Sequence, residues 1–313
     1  MTKYIIRRIL IAIPMMLAVS FIAFVLINLI PADPAEVALR VNEIIPTDEV
    51  IEAMREELGL DKPYFQRYLS WLWDVIRLDF GNSYINNTRT VYGEITRALP
   101  ATLRLASLSL IIVILVSFPI AIFCAVYKDS FFDRFIRLLI FVGTSIPNYW
   151  VALLLIWLFS LKLGILPTSG NEAKGSIILP AVTLSLTYIS TYVRLIRNNM
   201  IENMTENYVF YARVRGLKER VIIIKHVLKN SLQSCITALG MSVVQLLSGT
   251  VVIENIFSWP GIGRLCISSI FNRDYPIIQA YILMMGILFI LCNLIVDIVH
   301  HKLDPRLHGG DIN

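Results

Sequence analysis

His300 and His301 stand beside Asp304, and two imidazoles with a carboxylate form a donor set that a divalent transition metal accepts. The same histidines also read as a titrating surface pair, and spacing leaves both readings open. Elsewhere the residues that could carry chemistry are scattered. Cys124, Cys235, Cys266 and Cys292 show no CxxC spacing and fall mostly in apolar runs, where a thiol behaves as a small hydrophobe. The sequence has no HExxH, no serine–histidine arrangement within its apolar runs, no paired carboxylates there and no phosphate-cradling G-x-x-x-x-G-K-[ST]. The chain is therefore expected to be no enzyme and to hold no nucleotide or other cofactor of its own.

Two polar groupings remain. Ser234, Ala238, Met241, Gln245 and Ser248 recur at three- and four-residue steps inside an apolar run, which gathers small and polar groups on one helical face. Such a face either lines a path or lets helices pack closely. The second grouping is the stretch ENYVFYARVRGLKERVIIIKHVLKN, residues 206–230, which carries Arg213, Arg215, Lys218, Arg220, Lys225 and Lys229. Thr205 and Glu206 mark a helix start, the carboxylate favouring the positive end of the helix dipole. Gly216 marks the stop, since glycine enters the left-handed cap without penalty. Between them the spacing predicts about three turns, with Tyr208, Tyr211, Ala212 and Arg215 along one face. That face needs cover, from anionic lipid or from protein.

The elements that position these groups follow from composition. With 56% hydrophobic residues, 16% charged residues and a mean hydropathy of +0.67, the chain has more apolar surface than a soluble domain hides. Apolar runs at 9–30, 105–127, 138–161, 177–193, 231–253 and 277–296 predict an all-α integral membrane protein with six transmembrane helices. The first is expected to be a retained helix, because its apolar part exceeds a signal peptide's and no A-x-A-like site follows. Pro14, Pro119, Pro147 and Pro180 fall within runs and are expected to bend their helices, for packing or for gating. Asp297, at the inner end of the last run, is expected to be a structural anchor.

The net charge of +5 does not imply nucleic acid, because the basic residues gather beside the apolar runs. Lys3, Arg7, Arg8, Lys128, Arg134, Arg137 and the basic residues of 194–229 share one side with both termini, which makes that side cytoplasmic. The long segment 31–100 and the loop 254–276 then lie outside. In that loop Trp259 is expected to anchor at the interface, while Glu254 and Asp274 either attract a cation or stay solvated near Arg264 and Arg273.

The pattern E-x-Y…A-R-x-x-G-L in 206–217 closely resembles the cytoplasmic loop of ABC-importer permeases. LIPADPAE (with Ala32 where glycine is usual), LGLDKPYFQRYLSWLWDVIRLDFGNSY, LPATLRLASLSL, SIPNYW, ILPTSG, VVIENIFSWPGIGR, RDYPIIQA and LDPRL continue the resemblance in order. On these motifs the chain is identified as a member of the dipeptide/oligopeptide/nickel family of ABC-importer permeases, with most likeness to the nickel importers. The resemblance implies a type I ABC-importer permease fold with a long extracytoplasmic segment after the first helix. It implies a first unit at 1–93, a transport core at 94–299 and a cytoplasmic tail at 300–313. It makes Glu206, Tyr208, Tyr211, Ala212, Arg213, Arg215, Gly216 and Leu217 a coupling helix seated in an ATPase subunit, and tilts the Ser234–Ser248 face toward lining the path. It also puts Glu254, Trp259 and Asp274 near the outer gate.

The partners implied are a second homologous permease, two ABC ATPase subunits holding ATP and Mg, an extracytoplasmic substrate-binding protein and the lipid of a bacterial inner membrane. The cargo implied is nickel, chelated, because all four histidines fall on the cytoplasmic side and the runs offer only sulfur and amide groups. Di- or oligopeptides are the alternative cargo. A secondary transporter or channel would need an ion-coupling carboxylate midway in a span, and the sequence has none.

Overall fold

The computed structural model describes residues 2–29, 33–42, 44–85 and 88–303, and among these the fold is helical. Helix α1 spans Thr2–Asn28, α2 Pro34–Val41, α3 Asp48–Glu57, α4 Tyr64–Ile76 and α5 Val91–Val126. Then come α6 at Phe131–Ser145 and α7 at Asn148–Leu155, the latter continued by a π-helical turn at Ile156–Lys162. Next are α8 at Ile178–Met204, α9 at Asn207–Val214 and α10 at Glu219–Val221, followed by a second π-helical turn at Ile222–Val227. The remaining helices are α11 at Leu228–Ile256, α12 at Ile262–Phe271 and α13 at Tyr275–Leu303. The side chains of Ser234, Met241, Asp297, His300 and His301, and the whole of Asp304 and His308, lie outside the described residues.

Among the described residues five helices are long and apolar enough to cross a membrane, and a bent pair brings the number to six when counted as one crossing. The bent pair corrects an expectation. The run 138–161 is not one helix: α6 and α7 meet at 105°. Pro147 causes the break, because Ile146 before it is forced to an extended backbone (ψ 127°) and the new helix starts only after the proline. Pro180 corrects another, since it sits in the first turn of α8, where no helical donor is lost. Pro14 and Pro119 do lie inside α1 and α5 without ending them. Helix α5 has 36 residues and a length of about 54 Å, so it starts well before the apolar run that marks it.

The chain forms two compact units, Met1–Thr102 with Pro260–Leu291, and Leu103–Trp259 with Cys292–Asn313. In the first, the Asp33 side chain accepts from the Ala35 amide at 3.0 Å and Pro34 opens α2, a start built from a cap and a preset φ. Val91, Ile95, Ile277 and Ala280 form a buried cluster in this unit, and the Ile262 amide donates to Thr102 Oγ1 at 2.9 Å. In the second, α8 packs on α6, α7 and α11. Its core gathers Tyr192, Ile196 and Met200 of α8 with Ala121, Ala125, Ile222, Val227 and Cys235. Tyr192 donates to Ser242 Oγ of α11 at 2.6 Å. A Cβ at Gly240 would stand 2.1 Å from Val296 Cγ1, so the close approach of α11 and α13 there requires glycine.

Candidate functional site

Helix α9 is shorter than its sequence predicts, eight residues from Asn207, with Glu206 as the extended cap residue. Its end is set by Gly216 at φ +75°. The Gly216 amide donates to the Arg213 carbonyl at 2.9 Å and the Leu217 amide to the Ala212 carbonyl at 3.2 Å, the paired bonds of a Schellman stop. Val209 and Ala212, three residues apart, are buried in the core built by α8 and the π-helical turn at Ile222–Val227. Tyr208 is half-buried and donates to Asn203 Oδ1 at 3.1 Å. Arg213 pairs with Glu219 at 2.6 Å in an exposed bridge worth under about 1 kcal/mol.

The exposed side of α9 differs from the expected one. Phe210, Tyr211 and Val214 stand 63–69% exposed, with Leu217 beside them, and the Phe210 and Tyr211 rings meet edge to face at 5.9 Å. Tyr211 and Ala212, expected on one face, point apart: Ala212 packs inward and Tyr211 outward. The reason is length. A two-turn helix anchored through Val209 and Ala212 leaves its other apolar residues no room in the same core. Sequence reasoning passed over Phe210 and Val214, although their i, i+4 spacing was the signal for a second apolar face.

The second unit also holds a charge pair between α6 and α8 that sequence reasoning missed. Arg197 Nε and Nη2 of α8 donate to Asp133 Oδ1 and Oδ2 of α6 at 2.6 and 2.7 Å, a bidentate bridge with both side chains buried. Asp133 belongs to a helix start as well. Ser130 caps α6 by accepting from the Asp133 amide, and Asp133 Oδ2 accepts from the Asp129 amide at 3.0 Å. The S-x-x-D spacing of Ser130 and Asp133 was the legible half of this arrangement. Its partner 64 residues away was not.

On α11, Gln245 and Ser248 are exposed, as is Val252, while Ser242, Val244, Leu246, Leu247 and Thr250 are buried. Ala238 is half-buried against the α8 core. The open flank thus carries an amide and a hydroxyl at i and i+3. Gln279 of α13 is buried instead, at the wall of a cavity of about 450 Å³ in the first unit that Tyr275, Arg67 and Asp74 also line.

The residues expected near an outer gate are all buried. Glu254 lies in the last turn of α11, fully enclosed, and its carbonyl accepts from the Trp259 amide at 2.8 Å. Trp259 is buried too. Asp274, in the first unit, precedes α13 and presents no carboxylate to solvent. It accepts from Ser83 Oγ at 2.5 Å and the Tyr84 amide at 3.1 Å, and Ser83 Oγ in turn accepts from the Ile85 amide at 3.2 Å. Neither Glu254 nor Asp274 is a solvated loop charge. Asp274 is a latch that holds residues 83–85 to the start of α13. Burial pushes its carboxyl up from the ordinary range, against the downward pull of Ser83 and the amides. Burial and the adjacent Asp274 together push Tyr84 up to about 12.

His300 and His301 continue α13, but their side chains lie outside those described. Among the described residues no three of His, Cys, Asp and Glu gather to hold a metal ion.

Residues 117–309 match the sequence profile described as "Binding-protein-dependent transport system inner membrane component", and residues 1–106 match its N-terminal counterpart. The chain is 38% identical over 311 residues to the metal-staphylopine import system permease protein CntB of Staphylococcus aureus, covering 99% of each. It is 35% identical to the oligopeptide transport system permease protein AppB of Bacillus subtilis, covering 98% of this chain and 99% of that one. It is 34% identical to the glutathione transport system permease protein GsiC of Salmonella paratyphi A, at the same coverage. Among solved structures, an inward-facing conformation of the MetNI methionine ABC transporter superposes with a TM-score of 0.59 at 15% identity, covering 67% of this chain and 96% of that one. At that identity the likeness concerns the fold alone.

Proposed function

The chain belongs to the family of binding-protein-dependent transport system inner membrane components, the permease subunits of ABC importers, and on that premise we propose that its cargo is a metal chelate with amino-acid-like donor groups, nickel among its metals. The observation that carries this reading is the open flank of α11. Gln245 and Ser248 offer an amide and a hydroxyl on a span whose Ser242, Val244, Leu246, Leu247 and Thr250 are buried. Such groups suit a carboxylate or a peptide bond and do not compete for the metal as imidazole or thiolate would, so a chelate can pass and be released. A relative of nearly equal length is named for metal-staphylopine import, which supports the same class of cargo.

The driving force comes from outside the chain. The exposed patch of Phe210, Tyr211, Val214 and Leu217 is apolar, carried on a basic stretch, and suits a seat in an ATPase subunit that holds ATP and Mg. Two such subunits, a second homologous permease and an external binding protein complete the transporter in a bacterial inner membrane. Both termini are cytoplasmic, on the side of Lys128, Arg134 and Arg137.

The test is uptake by membrane vesicles holding the whole transporter, supplied with radioactive nickel alone, with its histidine chelate, and with a labelled dipeptide. ATP-dependent accumulation of the chelate over free nickel is expected. Accumulation of the dipeptide alone would replace the cargo and favour the oligopeptide relatives.

A further inference from the structure

Helix α4 belongs to the segment that follows the first span, where sequence places an aqueous external domain. Its contacts put it elsewhere. The hydroxyl of Tyr68 lies 2.8 Å from Ser20 Oγ and donates to the Leu17 carbonyl at 3.3 Å, and its ring meets the edges of Phe21 and Phe24 at 5.2 and 5.5 Å. Trp71 packs on Phe24 at 6.3 Å. These partners lie inside the apolar span of α1, Leu10–Asn28. Its 19 residues make about 28 Å, nearly the full hydrocarbon thickness, so Asn28 marks one boundary of the bilayer. Leu17 lies about 16 Å below Asn28 along α1, and Ser20 about 12 Å below it. A helix in contact there sits beneath the boundary.

The sequence of α4 is arranged for that depth. On a helical projection Gln66, Ser70, Asp74 and Arg77 occupy one arc, and apolar or aromatic residues fill the rest. Half of the apolar arc, Tyr68 and Trp71, faces α1. The other half, Phe65, Leu69, Trp73 and Ile76, is 47–67% exposed. Leu17 and Phe21 of α1, both of which Tyr68 touches, are themselves 44% and 46% exposed, so apolar side chains lie open on both helices at this level. The polar arc marks the water side: Arg67, at its edge, donates to Asn28 Oδ1 at 2.7 Å, at the end of the span. Arg77 lies over the Trp73 ring at 4.7 Å, the posture of a cation reaching up from an apolar stem.

We infer that α4 is an in-plane membrane helix, immersed in the leaflet at the Asn28 end of α1, with Phe65, Leu69, Trp73 and Ile76 against lipid acyl chains. The occupant of its open face is the bilayer itself, because α4 is held against the apolar span of α1 at the level of Leu17 and Ser20, where that span's own exposed residues meet lipid.

Spin labels read this directly. In the intact transporter reconstituted in lipid nanodiscs, with Cys292→Ala removing the half-buried thiol, single cysteines are placed by Phe65→Cys, Gln66→Cys, Leu69→Cys, Ser70→Cys and Ile76→Cys. Ala53→Cys on α3, a helix with no buried residue, is the aqueous control. Labels at 65, 69 and 76 are expected to collide with oxygen and lose collisions with chromium(III) oxalate, at a depth of about 5–10 Å. Labels at 66, 70 and 53 are expected to show the reverse. Free access of chromium oxalate to 69 and 76 would overturn the inference. So would exclusion of both reagents there, which would mean that a protein subunit covers the face.

Discussion

Asp274 shows how much one buried carboxylate can organise. Ser83 Oγ and the Tyr84 amide both donate to it from a segment 190 residues away, and burial still raises its carboxyl above the unfolded value. A raised acid stabilises the fold most when protonated. Its contribution is complete below the ordinary aspartate range of about 3.9 and declines as pH climbs through the raised value. Asp274→Asn is neutral throughout and should abolish that decline, which hydrogen exchange at the Tyr84 and Ile85 amides across acid pH would reveal. An unchanged pH slope in the variant would assign the effect to another group. Arg197 presents the opposite case, a buried cation answered by Asp133. Arg197→Met leaves the buried carboxylate with only the Asp129 amide at 3.0 Å and a longer contact to Arg137 at 3.5 Å, and should lower unfolding stability by up to about 3–5 kcal/mol. Adding Asp133→Leu should recover part of the loss, and thermal unfolding in detergent compares the two. Sequence showed neither arrangement, because a burial partner 190 or 64 residues away leaves no local pattern. Gly216 was legible, since a left-handed cap is a demand that one residue type meets.

At the scale of elements, α9 divides its work between two faces. Val209 and Ala212 hold it to the α8 core, and Phe210, Tyr211 and Val214 are left open. Val214→Asp should therefore leave abundance and insertion unchanged while lowering transport-coupled ATP hydrolysis at least tenfold, about 1.4 kcal/mol of lost contact. Ala212→Asp should instead reduce the amount of folded protein, by burying a charge. Gly216→Ala meets no atom within 4 Å, so its cost is that of backbone strain alone, about 1 kcal/mol. Equal hydrolysis by Val214→Asp and the parent would remove the docking role of the open face. The spans were readable from apolar run length, because a bilayer imposes one length on every crossing. The faces of α9 were not, since tyrosine suits either side of a short helix. The depth of α4 was hidden for a similar reason: an amphipathic pattern does not say whether its apolar side meets protein or lipid.

For the whole molecule, membership in the importer family divides labour between chains. The vesicle uptake described above should fall to background when the ATPase subunits are omitted, because a passive conduit cannot accumulate cargo against its gradient. Accumulation without them would require an energy source within this chain. The broken crossing at Pro147 carries a further physical consequence. Helix α6 ends about 22 Å from its start, short of a full crossing, after 15 residues. A helix that stops leaves its last carbonyls outside the ladder, and the next leaves its first amides. Dipoles opened at that depth draw water, and water moves the insulating layer. Water admitted to a break within the bilayer would shorten the path over which the membrane voltage drops beside α6 and α7.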